Sequence, residues 1–258
     1  AYSLGAALKG AAGRTWFEDV STLLSWRARG LEVKVLNSHL YGSYTRQIMN
    51  ERFYFRRGVS FSAIGNAFSA RAHRVPSAIG NKGPTVLPSD VAETTCLLNT
   101  SRARFVLASF NPGIGFEIAD VNRLCVFPVA DSSRVFGRVE ATFVERESVR
   151  EPSIEFKSPG PSPWRYAQVW AQRAVDRPEG AALPPYEPEY DLPDPESFVS
   201  FAIGVALGRF AANGEGILDQ APKDALPGGI LFVGASEHLP DSLLHPSAQR
   251  IRAAWDEH

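Results

Sequence analysis

The stretch from Arg52 to Arg74 constrains the fold more than any other part of this 258-residue chain. Three short segments lie one after another there: Arg52–Arg57 (RFYFRR), Val59–Ile64 (VSFSAI) and Ala67–Arg74 (AFSARAHR). Each is rich in aromatic and β-branched residues, and they are separated by turn material, Gly58 and then Gly65-Asn66. Segments this short satisfy their backbone groups by pairing as strands. Pro76, Gly80, Gly83, Pro84 and Pro88 punctuate the next stretch of chain, so Ser77–Leu87 reads as strand and loop.

Helical pattern surrounds this centre. Thr15 to Arg29 reads as a helix with Trp16, Val20, Leu23 and Leu24 on one face and Gly30 just past its end. Leu31 to Leu36 reads as a short strand, succeeded by a polar, aromatic loop from Asn37 to Asn50 that holds His39, Tyr41, Tyr44 and Arg46. Asp90 is a helix cap, Ser101 to Phe110 a second helix, and Phe116 to Val129 returns to a strand-like pattern. Ser132 or Ser133 caps a long helix carrying Val135, Val139, Phe143 and Val144. A Pro/Ser linker, Pro152 to Pro163, precedes a helix over Trp164–Val175, and an acidic Pro-rich connector runs from Asp176 to Asp194. Asp194-Pro195-Glu196 opens a helix expected to reach about Ala212, and Ala248 to Trp255 reads as a last one. The fold class is therefore α+β. Mixed strands with flanking helices occupy 13–130, and a smaller, mainly helical region covers 131–258.

Composition removes several classes. Hydrophobic residues at 44% and charged residues at 21% exclude disordered and fibrous chains. Cys96 and Cys125 are the only cysteines, too few for a disulfide framework or a four-cysteine zinc site, and their usage fits a reducing cytoplasm. The most apolar run, Ser197 to Gly208, is twelve residues and too short to cross a bilayer, so no membrane partner is expected. The start lacks a basic leader, and its first residue, Ala1, points to an excised piece. Net charge near zero hides an asymmetry. Residues 1–150 hold 19 Lys+Arg against 12 Asp+Glu, and residues 151–258 hold 8 against 16. A basic front half is the electrostatic footprint of a polyanion partner.

No catalytic signature stands out. Asn111-Pro112-Gly113-Ile114-Gly115-Phe116-Glu117 has the glycines of a nucleotide loop but lies between an expected helix and an expected strand, the reverse of the order such a loop needs. Pro184-Pro185-Tyr186 resembles the Pro-Pro-aromatic of amino-methyltransferases, yet Leu183 occupies the position that must hydrogen-bond the amine. There is no G-x-S-x-G, and His39, His73, His238, His245 and His258 show no partner spacing. The arginines are more informative. Arg52, Arg56, Arg57, Arg71, Arg74 and Lys82 interleave with Phe53, Tyr54, Phe55, Phe61 and Phe68. Strand alternation would bury the aromatics and gather the cations on one outer surface, where arginine can bond phosphate or guanine and Asn66 and Asn81 can address adenine. Pattern alone fits a solvated strand face over core aromatics somewhat better.

The same residues carry a resemblance. Tyr54-Phe55-Arg56-Arg57-Gly58-Val59-Ser60-Phe61-Ser62-Ala63-Ile64, Phe68-Ser69-Ala70-Arg71 and Gly80-Asn81-Lys82-Gly83 resemble the target-recognition region of large adenine-specific DNA methyltransferases. The closest are the phage-defence enzymes (BREX/phage-growth-limitation and DISARM) and the fused Type II restriction-modification enzymes. Leu97 to Arg102, Phe110-Asn111-Pro112, Phe116 to Val121 and Phe127-Pro128-Val129 are similar to that family's "LLNS…LNP…F.VGD…LPV" signature, and Val199 to Phe210 to its "SYAVG…GR" helix.

The resemblance implies a module that grips double-stranded DNA while a methyltransferase catalytic domain, in cis or in trans, flips out an adenine and methylates N6. That domain, with its S-adenosylmethionine motif and Asn/Asp-Pro-Pro-Tyr/Phe, has no counterpart here, so no cofactor is expected in this chain. An excised piece, a split subunit and a degenerate remnant all fit. Ser62, Ser69, Arg71 and Lys82 lie in the family-like blocks and are the expected phosphate contacts. Arg46, Arg56, Arg57, Asn66, His73 and Arg74 lie in or beside more variable-looking loops and are the expected base readers. Two alternatives remain: an enzyme with an unrecognised methyl-donor site, and an interaction subunit docking onto a methyltransferase or other defence-system proteins through its acidic half.

Overall fold

A computed structural model of the chain describes residues 4–8, 13–19, 23–65, 67–80, 83–110 and 115–217. The chain forms two compact units, Ala1–Phe143 with Arg165–Pro188, and Val144–Trp164 with Glu189–His258. The architecture is α+β, as expected. In the first unit, β1 (Leu4–Leu8), β3 (Leu23–Ser25) and β6 (Ser77–Ile79) make one sheet in the order β3-β1-β6. A second sheet has the order β2-β5-β4-β7, from β2 (Trp16–Phe17), β4 (Val59–Phe61), β5 (Ala70–Ala72) and β7 (Thr85–Val86). β2 runs parallel to β5, and β4 runs antiparallel to both β5 and β7.

Local expectation and structure part company at the start. Among the described residues of Thr15–Arg29 there is no α-helix where one was expected. Trp16 and Phe17 are both buried and adjacent, so they serve the two covered faces of a strand, while the last residues form a 3-10 turn, Arg27–Arg29. The helix, α1 (Leu31–Tyr41), lies where a strand was expected. Gly30 precedes it with φ 72 and presses against the Trp26 indole, where a Cβ would stand 2.9 Å from the ring; Gly42, also left-handed, closes it by donating to the Ser38 carbonyl at 2.9 Å. Gly30 thus closes the 3-10 turn Arg27–Arg29, its N–H bonded to the Arg27 carbonyl at 3.0 Å, and leads directly into α1.

The middle agrees with the sequence pattern more closely. β4 and β5 lie inside the expected strand segments, but Glu51–Phe53 is a 3-10 turn entered through Asn50 at φ 56, a conformation asparagine tolerates. α2 (Val91–Asn99) begins at Asp90, whose carboxylate accepts the Glu93 N–H at 2.9 Å, and α3 (Ser101–Phe110) comes next. Both pack under the second sheet, in a core of Val59, Phe61, Phe68, Leu97, Leu98 and Leu107. Asn99 joins α2 to the sheet edge-on, donating to the carbonyls of Ala70 and Thr95, each at 3.0 Å. The strand expected over Phe116–Val129 is instead α4 (Ile118–Asn122) in an otherwise irregular segment. Its start is a reciprocal capping box between Glu117 and Asp120, a spacing visible in the sequence.

α5 (Ser132–Val149) buries Val135, Val139 and Phe143, whereas Val144 is exposed. α6 (Trp164–Val175) matches its expected bounds. Pro184-Pro185-Tyr186 is structural: Trp170 donates to the Pro184 carbonyl at 2.9 Å, Tyr186 shares a hydrogen bond with Thr142 at 2.9 Å, and the Arg138 guanidinium stacks 4.9 Å above the Tyr186 ring. In the second unit, α7 (Pro195–Ala206) begins at the expected Asp194-Pro195-Glu196 but stops earlier than expected, with Gly208 left-handed just after it. Phe156, Phe201 and Phe210 form this unit's apolar cluster. The helix expected over Ala248–Trp255 lies outside the described residues.

Gly204 is the tightest contact of that cluster, since a Cβ there would fall 2.3 Å from the Phe210 ring. Gly204→Ala should therefore destabilise the chain by about 1–3 kcal/mol, overpacking outweighing alanine's better helix propensity. Chemical denaturation checks it, and Phe210→Leu in the same background should recover part of the loss.

Candidate nucleic-acid interface

Beneath the surface, the second sheet carries a polar network. β5 lies between β2 and β4 with both faces covered, so Arg71 at its centre is wholly buried. Its guanidinium donates through Nε to the Glu18 carboxylate and through Nη1 to Ser62 Oγ at 3.0 Å. Ser62 in turn bonds Ser69 across the β4–β5 turn at 2.8 Å. Burial raises the Glu18 carboxyl above its ordinary range, although the Arg71 charge pulls the other way. Asp19 beside it pairs with Arg14 at 2.7 Å.

A second chain of bonds runs alongside. Thr85 Oγ1 donates to the Gly83 carbonyl at 3.1 Å, which leaves it to accept from Ser60 Oγ at 2.8 Å. Ser60 must then accept from His73 Nε2, 2.6 Å away, so Nδ1 is the unprotonated nitrogen. Nδ1 is buried without a hydrogen-bond partner. Burial first, and the Arg71 charge second, hold His73 down at about 4 and keep the ring neutral.

Ser62, Ser69, Arg71 and His73 are thus interior groups, and arginines do not all gather on one outer face. The alternation rule fails at Arg71 because it assumes one solvated face, and β5 has none. Lys82 and Asn66, with Asn81, lie outside the described residues. The remaining expected base readers divide into groups. Arg57 pairs with Glu140 at 3.7 Å and Arg74 stacks 5.6 Å from the Phe143 ring, so both face α5. Arg56 lies with Arg52 over the ring of Phe53, at 6.0 and 4.7 Å. Arg46 is exposed at the end of the 3-10 turn Tyr44–Arg46.

Phe53 belongs to the wall of a cleft of about 540 Å³, within the size range of ligand pockets. Tyr54, Val86, Leu87 and Val121 supply other apolar walls, and Phe61 of β4 reaches it from the core. Its polar side chains include the amides Gln47, Asn50 and Asn122, all exposed, and among the described residues no charged one lines it. The aromatic loop is held in place by Trp26, whose ring meets Tyr54 and Phe55 at 5.6 Å each, and by Lys34 bonded to Glu51 at 2.6 Å. Sequence reasoning missed Gln47, Asn50 and Asn122 because they come from the 44–50 loop and from α4, which only the fold brings together. A readable signal existed for part of it: Arg46-Gln47 and Asn50 close the polar, aromatic loop already singled out.

A second cleft, of about 670 Å³, gathers Thr100–Arg102 and Phe127–Val129 against 174–179. Several of its polar groups are already engaged in the fold: Asp176 accepts from Ser101 N and Oγ at 2.7 and 2.6 Å, and Arg177 pairs with Asp131. Among the described residues no group of His, Cys, Asp or Glu could hold a metal ion, and no helix is long and apolar enough to cross a membrane.

Arg71→Met should cost about 3–5 kcal/mol in denaturant unfolding, since it strands a buried carboxylate; adding Glu18→Gln should recover much of it. His73 makes stability depend on pH. The unfolded ring takes a proton below its ordinary 6.5, whereas the folded one refuses it down to about 4. Stability is full above that window and falls through it on acidification, by on the order of 3 kcal/mol. His73→Gln should flatten this part of the pH profile.

No protein-family model matches the chain, and no curated protein matches it either.

Proposed function

We propose that this chain is the sequence-reading module of a cytoplasmic, S-adenosylmethionine-dependent adenine-N6 DNA methyltransferase of a restriction-modification or phage-defence system. It grips double-stranded DNA, and a separate catalytic domain carries the cofactor and the chemistry. The observation that carries this reading is the pair Arg52 and Arg56 stacked over Phe53 beside a cleft whose described lining includes no charged side chain. Exposed guanidiniums supply phosphate and guanine contacts, and exposed amides beside them suit adenine edges. The family-like blocks support the same reading, although Ser62, Ser69 and Arg71 then act by holding the sheet and not by touching phosphate. Phosphate contact falls to Arg52 and base reading to Arg56 and Arg46.

A second reading, an interaction subunit of a methyltransferase or defence complex, is favoured by α1. None of its residues is buried, and Leu31, Val35, Leu36 and Leu40 are 56–60% exposed.

Fluorescence anisotropy with duplex DNA, titrated over salt, separates the two. A recognition module loses affinity steeply with salt; Arg52→Ala should weaken binding to all sequences and lower the slope by about one, while Arg56→Ala should relax sequence preference. Absence of binding even at low salt would leave the interaction subunit.

A further inference from the structure

We infer that the exposed face of α1 is a two-fold interface with a second copy of this chain, the two helices packed antiparallel. The inference is independent of the DNA reading. It gives to a second copy the face that the interaction-subunit reading gives to another protein. α1 is held from behind. It rests on the 3-10 turns on either side of it, and Lys34 on its inner side bonds Glu51 at 2.6 Å and lies over the rings of Trp26 and Tyr44, at 5.7 and 5.5 Å. The other side faces solvent: Leu31, Val35, Leu36 and Leu40 are 56–60% exposed, and Glu32 and His39 are exposed among them. Apolar side chains gathered on one open face gain free energy when a partner covers them.

The order of these residues selects the partner. A two-fold interface uses the same patch on both copies, so the patch must complement itself. With the axis passing between Val35 and Leu36, an antiparallel second helix brings residues equally far from that point to the same level. Leu31 then shares a level with Leu40 of the second copy, and Glu32 with His39 of the second copy, while Val35 and Leu36 meet their own counterparts across the axis. Apolar surface meets apolar surface, and an acid meets a base.

Within one helix Glu32 and His39 stand close to two turns apart, about 10 Å along the axis. Both therefore lie on the middle line of the exposed face, yet they are too distant to bond each other, since helix neighbours are three or four residues apart. The second copy brings the two types together twice, each Glu32 carboxylate accepting from an imidazole. A parallel pairing would set Glu32 against Glu32 and align the two helix dipoles, both unfavourable. One helix face on each copy buries less than a standard interface of about 1,600 Å², so association in the micromolar range is expected.

Sedimentation equilibrium of the full chain, from about 1 to 300 µM, tests this. The average mass should climb from that of one chain toward that of two. Val35→Glu, at an exposed position beside the axis, should raise the dimer dissociation constant at least about tenfold, because it forces two like charges together there. Glu32→Lys and His39→Glu should each weaken association about fivefold alone. Mixed in equal amounts, these two variants should regain the original association, since the mixed pair again sets a donor against a carboxylate at both levels.

A mass that stays that of one chain throughout overturns the inference and returns the face to the interaction-subunit reading. Association that Val35→Glu leaves untouched also overturns it, and so does a mixture no tighter than its components, since the copies then meet elsewhere or in another register. DNA binding is tested separately by the salt titration, and none of these outcomes bears on it.

Discussion

Within the second sheet, the charge of Arg71 is removed from water and paired with the Glu18 carboxylate, while Ser62 accepts from its guanidinium and in turn bonds Ser69. A buried ion pair of this kind contributes little net stability, because desolvation of both ions offsets their attraction, but it tolerates only one arrangement. Glu18 comes directly after β2, Arg71 is the middle of β5, and Ser62 comes directly after β4, so the pair joins three strands in one register. A slip of one residue would turn Arg71 to the opposite face and strand both charges. Phe61 and Thr85, which line the cleft, sit in strands held by that register.

The exposed cations have the opposite logic. Arg52 and Arg56 are exposed, and their side chains lie over an aromatic ring, where stacking limits their rotamers. The turn beneath them is costly in backbone terms: Asn50 and Phe55 both have positive φ, and phenylalanine gains nothing there locally. Contact with Trp26 and the Phe55 N–H bond to the Ser77 carbonyl at 2.9 Å hold it. Arg71 inside the sheet and Arg52 and Arg56 outside it are thus held by different means, a buried carboxylate in the first case and an aromatic ring in the second.

Legibility varied with how local the signal was. Asp90, Asp194-Pro195 and the apolar spacing of α5 and α6 mark their helices within one or two turns of chain, and those helices formed where expected. The capping box of Glu117 and Asp120 is equally local, but the segment reads as strand from its apolar pattern, which leaves the box unrecognised. Trp16 and Phe17 were misleading because a helical stripe and a strand covered on both faces look alike over so few residues. For the candidate site, the aromatic-arginine segment was legible, but the division of its arginines between core and surface was not.

By itself, the sequence determined the α+β class, the start of most helices, the paired strands around Gly58 and Gly65, and a basic, aromatic segment from Arg52 to Arg57. Those are properties of neighbours in the chain: caps, turn residues and side-chain periodicity act over a few residues. Tertiary structure alone decided which arginine would be buried, because that depends on whether a strand lies inside its sheet or at its edge. It also decided that Gln47, Asn50 and Asn122 share one cleft with Phe53. Residues some seventy positions apart have no local signature of their meeting; packing of α4 and the 44–54 loop around β4 and β7 brings them together.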